Sequence, residues 1–294
     1  MTPALLLEQL LNGLITGSIY ALFAVGLALT LGVMDLVNTA HGEMYMVGAY
    51  AALAAMLSMS GQPWIYLPVA ALAGFVLGVA IDLTMLRPLR RRRGVDLHMV
   101  SLILTFGISI ALQNLGIYVL SARYQKAPEL LSGATTVGDM VFINQHLLTF
   151  GMAVVLTALL FLFLQFTRVG CAIRATAQNS SAARLVGIDT DRIASITFGL
   201  GASLAALSGA LLGPLYYVHP TMGTNIMMKG FAIVIVGGMG SIPGAIAAGF
   251  LLGISESVGG LFLSYSYKEA IGFMLLAVTL LLRPSGLWGK PVRA

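Results

Sequence analysis

Charged residues are scarce in this sequence. They make up only 9% of its 294 residues, whereas 58% of the residues are hydrophobic and the mean hydropathy is +0.93. Soluble globular domains carry about 25% charged residues. The shortage of charge therefore excludes a soluble globular domain and predicts an integral membrane protein.

Cysteine and nucleotide-binding motifs are nearly absent as well. The single cysteine, Cys171, excludes an intrachain disulfide and a metal site built from several cysteines. The stretch 286–290 has the wrong spacing for a phosphate-binding loop, and the glycine-rich stretch 237–240 has no lysine. No paired carboxylates, nucleophile triad or metal-ligand set favours an enzyme. The sequence thus predicts no cofactor in this chain, and if ATP drives the protein, another chain must bind it.

Long apolar runs are what the sequence has in abundance. A transmembrane helix needs roughly 20 such residues. No Lys or Arg precedes Arg87, so the first run lacks the basic region of a signal peptide and is expected to remain as a span. The sequence predicts an all-α, polytopic transmembrane bundle with eight or nine membrane segments, in which residues 1–294 form a single domain. The apolar runs lie near 10–31, 42–59, 64–86, 98–120, 146–166, 193–217, 228–237, 242–260 and 268–282.

Basic residues are concentrated in three clusters. Short cytoplasmic loops of membrane proteins carry an excess of Lys and Arg, so all three clusters are predicted to be cytoplasmic. This topology also accounts for the basic pI of about 9.5 without a nucleic-acid partner. It places the C-terminus inside and, counting back along the spans, the N-terminus outside. The clusters are Arg87, Arg90, Arg91, Arg92 and Arg93; Arg168, Arg174, Arg184 and Arg192; and Arg283, Lys290 and Arg293.

Two stretches of the sequence resemble each other. Residues 42–52 align with 238–248 through three alanines and two glycines, and at the same offset 86–88 aligns with 282–284. Parallel internal repeats are common in transporters. The sequence therefore suggests a parallel duplication, although alphabets of small apolar residues also produce chance matches.

The run 168–192, which we name the polar segment, interrupts the apolar sequence. It is rich in small and polar residues and is predicted to be helical. Gly187 is placed where a helix would end, and Asp189 or Thr190 where the next would begin. Its alanines would form a surface that a partner could approach closely. We favour a docking surface over the alternative, a capped loop helix without a partner.

A second polar cluster, around Asn38, His41 and Glu43, lies beside an apolar run. Ionisable residues at membrane depth are unfavourable and often functional. His41 and Glu43 are two residues apart, so on a helix they point to different sides and make a poor metal-binding pair. The favoured interpretation is that they cap a helix at the cytoplasmic surface. The alternative is that they gate or line a pathway, a role also assigned to Gly238 and Gly240.

An ion-coupled carrier would place acidic residues in the middle of the membrane. Only Glu256, in the outer half of its predicted span, meets this description. A self-sufficient channel or ion-coupled carrier therefore remains the alternative of a different class.

Four motifs that stand in order resemble a known family. They are 38–43 (NTAHGE), 170–178 (GCAIRATAQ), 185–192 (LVGIDTDR) and 237–245 (GGMGSIPGA). The chain resembles, over about 12–291, the permease subunits of ABC importers for the branched-chain amino acids leucine, isoleucine and valine. The resemblance implies a permease of the bacterial inner membrane that forms the translocation pathway for these amino acids.

The resemblance also implies partners. These are a second permease subunit, two ABC ATPase subunits that bind ATP, and an external solute-binding protein. Residues 172–189 would be the coupling helix seated in a cleft of an ATPase subunit. The residues expected to contact the ATPase are Arg174, Ala177, Gln178, Asn179, Ala182, Ala183, Gly187 and Asp189.

The sequence departs from the family at Asn179, where many members carry an acidic residue. One carboxylate contact to the ATPase is therefore expected to be missing. Similar permeases move urea, short amides, or aromatic and cyclic acids, and these substrates remain alternatives. Whether the permease pair is built from two different chains or two copies also stays open.

Overall fold

The protein is described by a computed structural model that covers residues 3–58, 63–92, 94, 96–137, 140–262 and 267–289. Helices dominate these residues. Arg93, Lys290 and Arg293, assigned above to the basic clusters, lie outside them. The helices are α1 (Pro3–Met34), α2 (His41–Ser58), α3 (Tyr66–Arg90), α4 (Leu97–Leu120), α5 (Asn144–Phe166), α6 (Arg168–Gln178), α7 (Ser180–Leu185), α8 (Thr190–Leu212), α9 (Met222–Gly237), α10 (Ile242–Phe262) and α11 (Lys268–Leu282).

The predicted helical membrane bundle is confirmed, but the predicted number of crossings is not. Among the described residues, six helices are long and apolar enough to span a membrane: α1, α3, α4, α5, α8 and α10. The helices α2, α9 and α11 have 18, 16 and 15 residues. A spanning helix has roughly 17–25 residues, so α9 and α11 are too short on their own, whereas α2 is long enough but is not among the six. The proposed repeat stays a prediction.

Short strands occur beside the apolar helices. Strand β1 (Gln125–Lys126) pairs antiparallel with β4 (Tyr217–Val218), and β2 (Ala134–Val137) pairs antiparallel with β3 (Met140–Ile143). The first pair ties the loop after α4 to the loop after α8. The strands therefore organise the segments that connect the spans on one side of the bundle.

The centre of the bundle is formed by α1 and α8. In their most apolar windows 83% and 78% of the residues are buried, against 22% for both α4 and α5. A helix that faces lipid on most sides keeps its apolar residues exposed, because lipid solvates them as well as protein does. The helices α4 and α5 therefore lie at the lipid-facing periphery.

Small residues bring the central helices close together. A Cβ atom on Gly13 of α1 would lie 2.7 Å from the Cα atom of Ile254 in α10. In the same way, a Cβ atom on Gly78 of α3 would lie 2.6 Å from the Cβ atom of Ala202 in α8. Glycine at these crossings permits backbone contact, which is a main source of helix association in lipid.

Candidate functional site

The polar segment folds into two short helices rather than the single one expected. Helix α6 begins after Thr167, whose hydroxyl accepts a hydrogen bond from the backbone N–H of Gly170 at 2.9 Å. It ends at Gln178, and the side chain of Asn179 then accepts from the N–H of Ala182 at 3.0 Å to start α7. The expectation of one uninterrupted helix is wrong, because Asn179 adopts an extended backbone and serves as an N-cap.

The end of the polar segment agrees with the sequence. Gly187 has φ of +86°, a conformation that side chains with a Cβ rarely adopt, and the N–H of Ile188 bonds back to the carbonyl of Ala183 at 3.1 Å. Asp189 caps α8 by accepting from the N–H of Arg192 at 3.0 Å. This hydrogen bond lowers the pKa of Asp189 below its usual value, because it favours the charged carboxylate.

The residues expected to contact the ATPase do not all reach the surface. Arg174 is half-buried, and Ala183 is only 3% exposed, so Ala183 packs α7 against the bundle. The turn at Asn179 directs this alanine inward, and the expected contact of both residues with the ATPase stays a prediction. The exposed members of the set are Ala177, Gln178, Asn179, Ala182, Gly187 and Asp189.

Two residues that the sequence reasoning missed are the most exposed apolar side chains of the segment. Leu185 is 89% exposed and Val186 is 76% exposed. Leu185 is the last residue of α7 and Val186 follows it, so both lie outside every spanning helix. Large apolar side chains that project together from a polar surface mark interaction sites. The sequence pattern that could have revealed this exposed pair is two apolar residues between Arg184 and Gly187.

Buried contacts attach the polar segment to the spanning helices. Ile173 of α6 is 1% exposed, and a Cβ atom on Gly170 would lie 2.6 Å from the Cα atom of Leu164 in α5. The guanidinium of Arg184 donates to the hydroxyl of Thr190 at 2.6 Å, which joins α7 to the start of α8. The segment is therefore packed on α5 and hydrogen-bonded to α8.

A buried carboxylate fixes the neighbouring end of α3. Asp82, which is 0% exposed, pairs with Arg90 and accepts a hydrogen bond from the hydroxyl of Ser195 in α8 at 2.6 Å. Arg91 forms a second, more exposed pair with Asp191 at 3.0 Å. The first basic cluster is thus connected to the start of α8, beside the polar segment.

A cavity of about 580 Å³, the inner cavity, opens next to α6. It lies between the ends of α1, α6 and the turn that joins α9 to α10. Gly240 has φ of +76° and lines this cavity. Gly238 has φ of +101° and packs on the chain after α11. A Cβ atom added to Gly238 would lie 2.7 Å from the Cα atom of Gly289. Gly240 therefore shapes the cavity wall, and Gly238 lets the turn pack closely on the chain after α11.

The polar cluster near the start of α2 is buried in the bundle, not at a surface. His41 is 0% exposed, with Nε2 3.3 Å from the carbonyl oxygen of Phe23 in α1. Glu43 is 1% exposed and accepts from the hydroxyl of Ser109 in α4 at 3.1 Å, and the side chain of Asn38 accepts from the N–H of Ala40 at 3.1 Å. The interpretation as caps at the cytoplasmic surface is wrong, because the chain 35–40 turns back between α1 and α4.

Glu256, singled out above as an acid at membrane depth, is paired. Its carboxylate lies 2.8 Å from the ammonium of Lys229 and accepts from the hydroxyl of Tyr20 at 3.0 Å. Within the described ranges, no group of three or more His, Cys, Asp and Glu side chains is placed to hold a metal ion.

Comparison with known proteins identifies the family. Residues 9–281 match the family described as branched-chain amino acid transport system / permease component. The chain is 37% identical over 301 residues to the high-affinity branched-chain amino acid transport system permease protein LivH of Escherichia coli, with 97% of this chain and 96% of that protein covered. The chain belongs to this permease family.

Other relatives of this permease come from distant organisms. The protein BraD of Pseudomonas aeruginosa, named as a permease of the same high-affinity system, is 36% identical over 309 residues, covering 97% of this chain and 96% of that protein. A probable branched-chain amino acid transport permease of Methanocaldococcus jannaschii is 29% identical over 300 residues, covering 96% and 92%. The resemblance read from the four sequence motifs is thereby confirmed.

Proposed function

We propose that residues 1–294 of this permease form a single transmembrane domain, which in an ATP-driven importer forms the pathway for branched-chain amino acids. The observation that carries the proposal is the polar segment: exposed, capped at both ends, and fastened to α5 and α8. The chain would hydrolyse no ATP itself. It would assemble with a second permease subunit, two ABC ATPase subunits and an external solute-binding protein.

The structure suggests how ATP binding would reach the pathway. Closure of the ATPase subunits would move the polar segment, because these subunits would contact the exposed side chains of Leu185 and Val186. The buried side chain of Ile173 holds α6 in the bundle. Because α5 and α8 are joined through this segment, they would tilt together and switch the bundle between two states. Gly240, at the wall of the inner cavity, lies where such a movement would open or close the inner end.

Orientation follows from the same assignment. The polar segment and the basic residues of α3 would be cytoplasmic, and so would the C-terminus, in a bacterial inner membrane. The strand-bearing segments 121–143 and 213–221 would then face outward and receive the loaded binding protein. The substrate class is supported by the names of the relatives that cover nearly the whole chain.

The proposal is tested by adding bulk to the docking surface. Ala177→Trp and Ala182→Trp place a large side chain at two exposed positions of the polar segment, and Ala122→Trp makes the same change at an exposed alanine before β1. We expect the first two variants to lose most of the ATPase recovered with the tagged permease from native membranes, and to lose leucine uptake. Ala122→Trp should retain the co-purified ATPase, and only this readout serves as the control, because residue 122 lies in a segment that would receive the binding protein.

Two results would overturn the proposal. One is the absence of any ATPase subunit from the wild-type preparation. The other is ATPase recovery and uptake in Ala177→Trp and Ala182→Trp that equal those of the wild type.

A further inference from the structure

The ion pair between Lys229 of α9 and Glu256 of α10 is buried among apolar helices. Glu256 is 1% exposed, and the side chain of Lys229 is 16% exposed. The hydroxyl of Tyr20 bridges them: it accepts from the ammonium at 2.8 Å and donates to the carboxylate at 3.0 Å. The three residues connect α1, α9 and α10 at one point.

Stability alone is a poor reason for such a pair. Taking two charges out of water costs about as much as their attraction returns, and apolar replacements are often neutral or stabilising. Charged side chains inside spanning segments face cavities or pathways and are usually functional. The pair therefore calls for a ligand that needs both signs of charge.

Cavities meet at the pair. Lys229 and Tyr20 line a cavity of about 430 Å³, the outer cavity. This lies within the range of about 300–1,000 Å³ that small-molecule sites occupy. Glu256 lines two neighbouring cavities, of about 200 and 340 Å³, and the first of these also contains Lys229. Both charged side chains thus border space that a ligand could enter.

Both oxygens of the carboxylate lie against Lys229. Oε2 of Glu256 accepts hydrogen bonds from both Lys229 and Tyr20. Oε1 lies 2.8 Å from the ammonium in the ion pair and is buried. An incoming ammonium group would reach this oxygen only as the pair opens, and it would then replace the positive charge that Lys229 withdraws.

One part of the outer cavity suits an aliphatic side chain, whereas Asn225, Lys268 and Glu269 line another part. Leu212, Met222 and Ile226 line it beside Lys229. An amino acid bound with its carboxylate toward Lys229 would place a branched side chain against this apolar wall. An uncharged amide or urea would form hydrogen bonds with these groups but no ion pairs, so it would replace the charge interactions less well.

We propose that the Lys229–Glu256 pair is the site at which the permease holds the charged head group of an amino acid during its passage. The substrate carboxylate forms an ion pair with Lys229, and the substrate ammonium forms one with Glu256. The Lys229–Glu256 pair therefore opens as the head group enters. No net charge is buried at any stage, because one ion pair is exchanged for two. The flexible four-carbon stem of Lys229 permits the required movement. This inference rests on the importer function proposed above.

The test uses the complete importer, purified and reconstituted in vesicles, with leucine-loaded binding protein in excess. Leucine uptake and ATP hydrolysis are measured in the same preparation. The variant Lys229→Met with Glu256→Gln removes both charges while keeping similar volumes. Glu8→Gln is the matched control, since Glu8 is an exposed carboxylate of α1 that lines none of these three cavities.

We expect the charge-free pair to assemble and to hydrolyse ATP within twofold of the wild-type rate, while leucine transported per ATP falls at least tenfold. Glu8→Gln should change neither quantity more than twofold. An unchanged ratio of leucine to ATP in the charge-free pair would overturn the inference, and so would an equal loss of both activities, which indicates a purely structural pair. A loss of coupling in Glu8→Gln as large as that of the pair would also overturn it.

If the charge-free pair does not assemble, Glu256→Asp decides the matter, because it keeps the charge and withdraws the carboxylate by one methylene. A fall of at least fivefold in leucine per ATP supports the site, and a change of less than twofold overturns it. Failure of the wild-type importer to couple ATP to leucine uptake would instead overturn the proposed function, and this inference with it.

Discussion

Leu185 and Val186 provide the sharpest quantitative test of docking at the polar segment. They are 89% and 76% exposed in the isolated chain. Truncation of both to alanine removes three carbon atoms from Leu185 and two from Val186, each worth about 0.8 kcal/mol when it is fully buried. Complete burial in an ATPase cleft would therefore make the double truncation cost about 4 kcal/mol.

If the interface covers only one face of these side chains, the double truncation would cost roughly half of that binding free energy. A loss of about 2 kcal/mol corresponds to a ~30-fold increase in the dissociation constant, because about 1.4 kcal/mol is a factor of ten. We therefore expect the double variant to bind the ATPase subunits ~30-fold more weakly. Its fold should be intact, since the removed atoms make few contacts within the chain.

The assay is equilibrium binding of labelled ATPase subunits to the permease pair in detergent. Leu281→Ala serves as the matched control, because Leu281 of α11 is also 84% exposed but lies outside the polar segment. It should bind like the wild type. Affinity of the double variant within twofold of the wild type would refute the assignment of these side chains to the docking surface.

Three further predictions concern caps and packing. Asn179→Ala should lower the stability of the folded permease by about 1 kcal/mol through loss of the α7 N-cap. Asn179→Asp should retain the cap. The affinity of the two variants for the ATPase subunits is measured and compared. Gly13→Leu should lower the Tm and yield of the purified permease because its side chain would meet the α10 backbone, while Gly107→Ala, with open space around it, should not. The pKa of Asp189 is lowered in the folded protein. Its carboxylate therefore stabilises the fold fully above the unfolded pKa of about 3.9, and this stabilisation is lost as the pH falls through the lower pKa of the folded state. The Tm difference between wild type and Asp189→Asn should accordingly stay constant from about pH 8 to pH 5.

Local chemistry explains which features of the polar segment could be predicted. Gly187 and Asp189 were placed correctly because a positive φ and an N-cap each depend on a residue and its nearest neighbours. Asn179 carries the same kind of signal, yet its capping role was missed. The helix-favouring alanines on both sides of it suggested a continuous helix, and the cap competed successfully with that preference.

Burial of single side chains could not be predicted in this way. Ala182 and Ala183 are adjacent and identical, yet one is exposed and the other is buried. Which of them faces the bundle depends on the direction in which α7 leaves the turn at Asn179. The same holds for His41 and Glu43, whose depth is set by the path of 35–40 between α1 and α4.

The sequence by itself determined that this is a helical membrane protein, where its polar segment lies, and to which family it belongs. These properties reside in composition, in the length of apolar runs and in ordered local motifs, all of which are independent of how the helices pack. The tertiary structure alone brought Lys229, Glu256 and Tyr20 together, because they belong to three helices separated by up to 236 residues. It also decided which helices form the centre, since nearly uniform apolar sequences pack according to where small residues let two backbones meet.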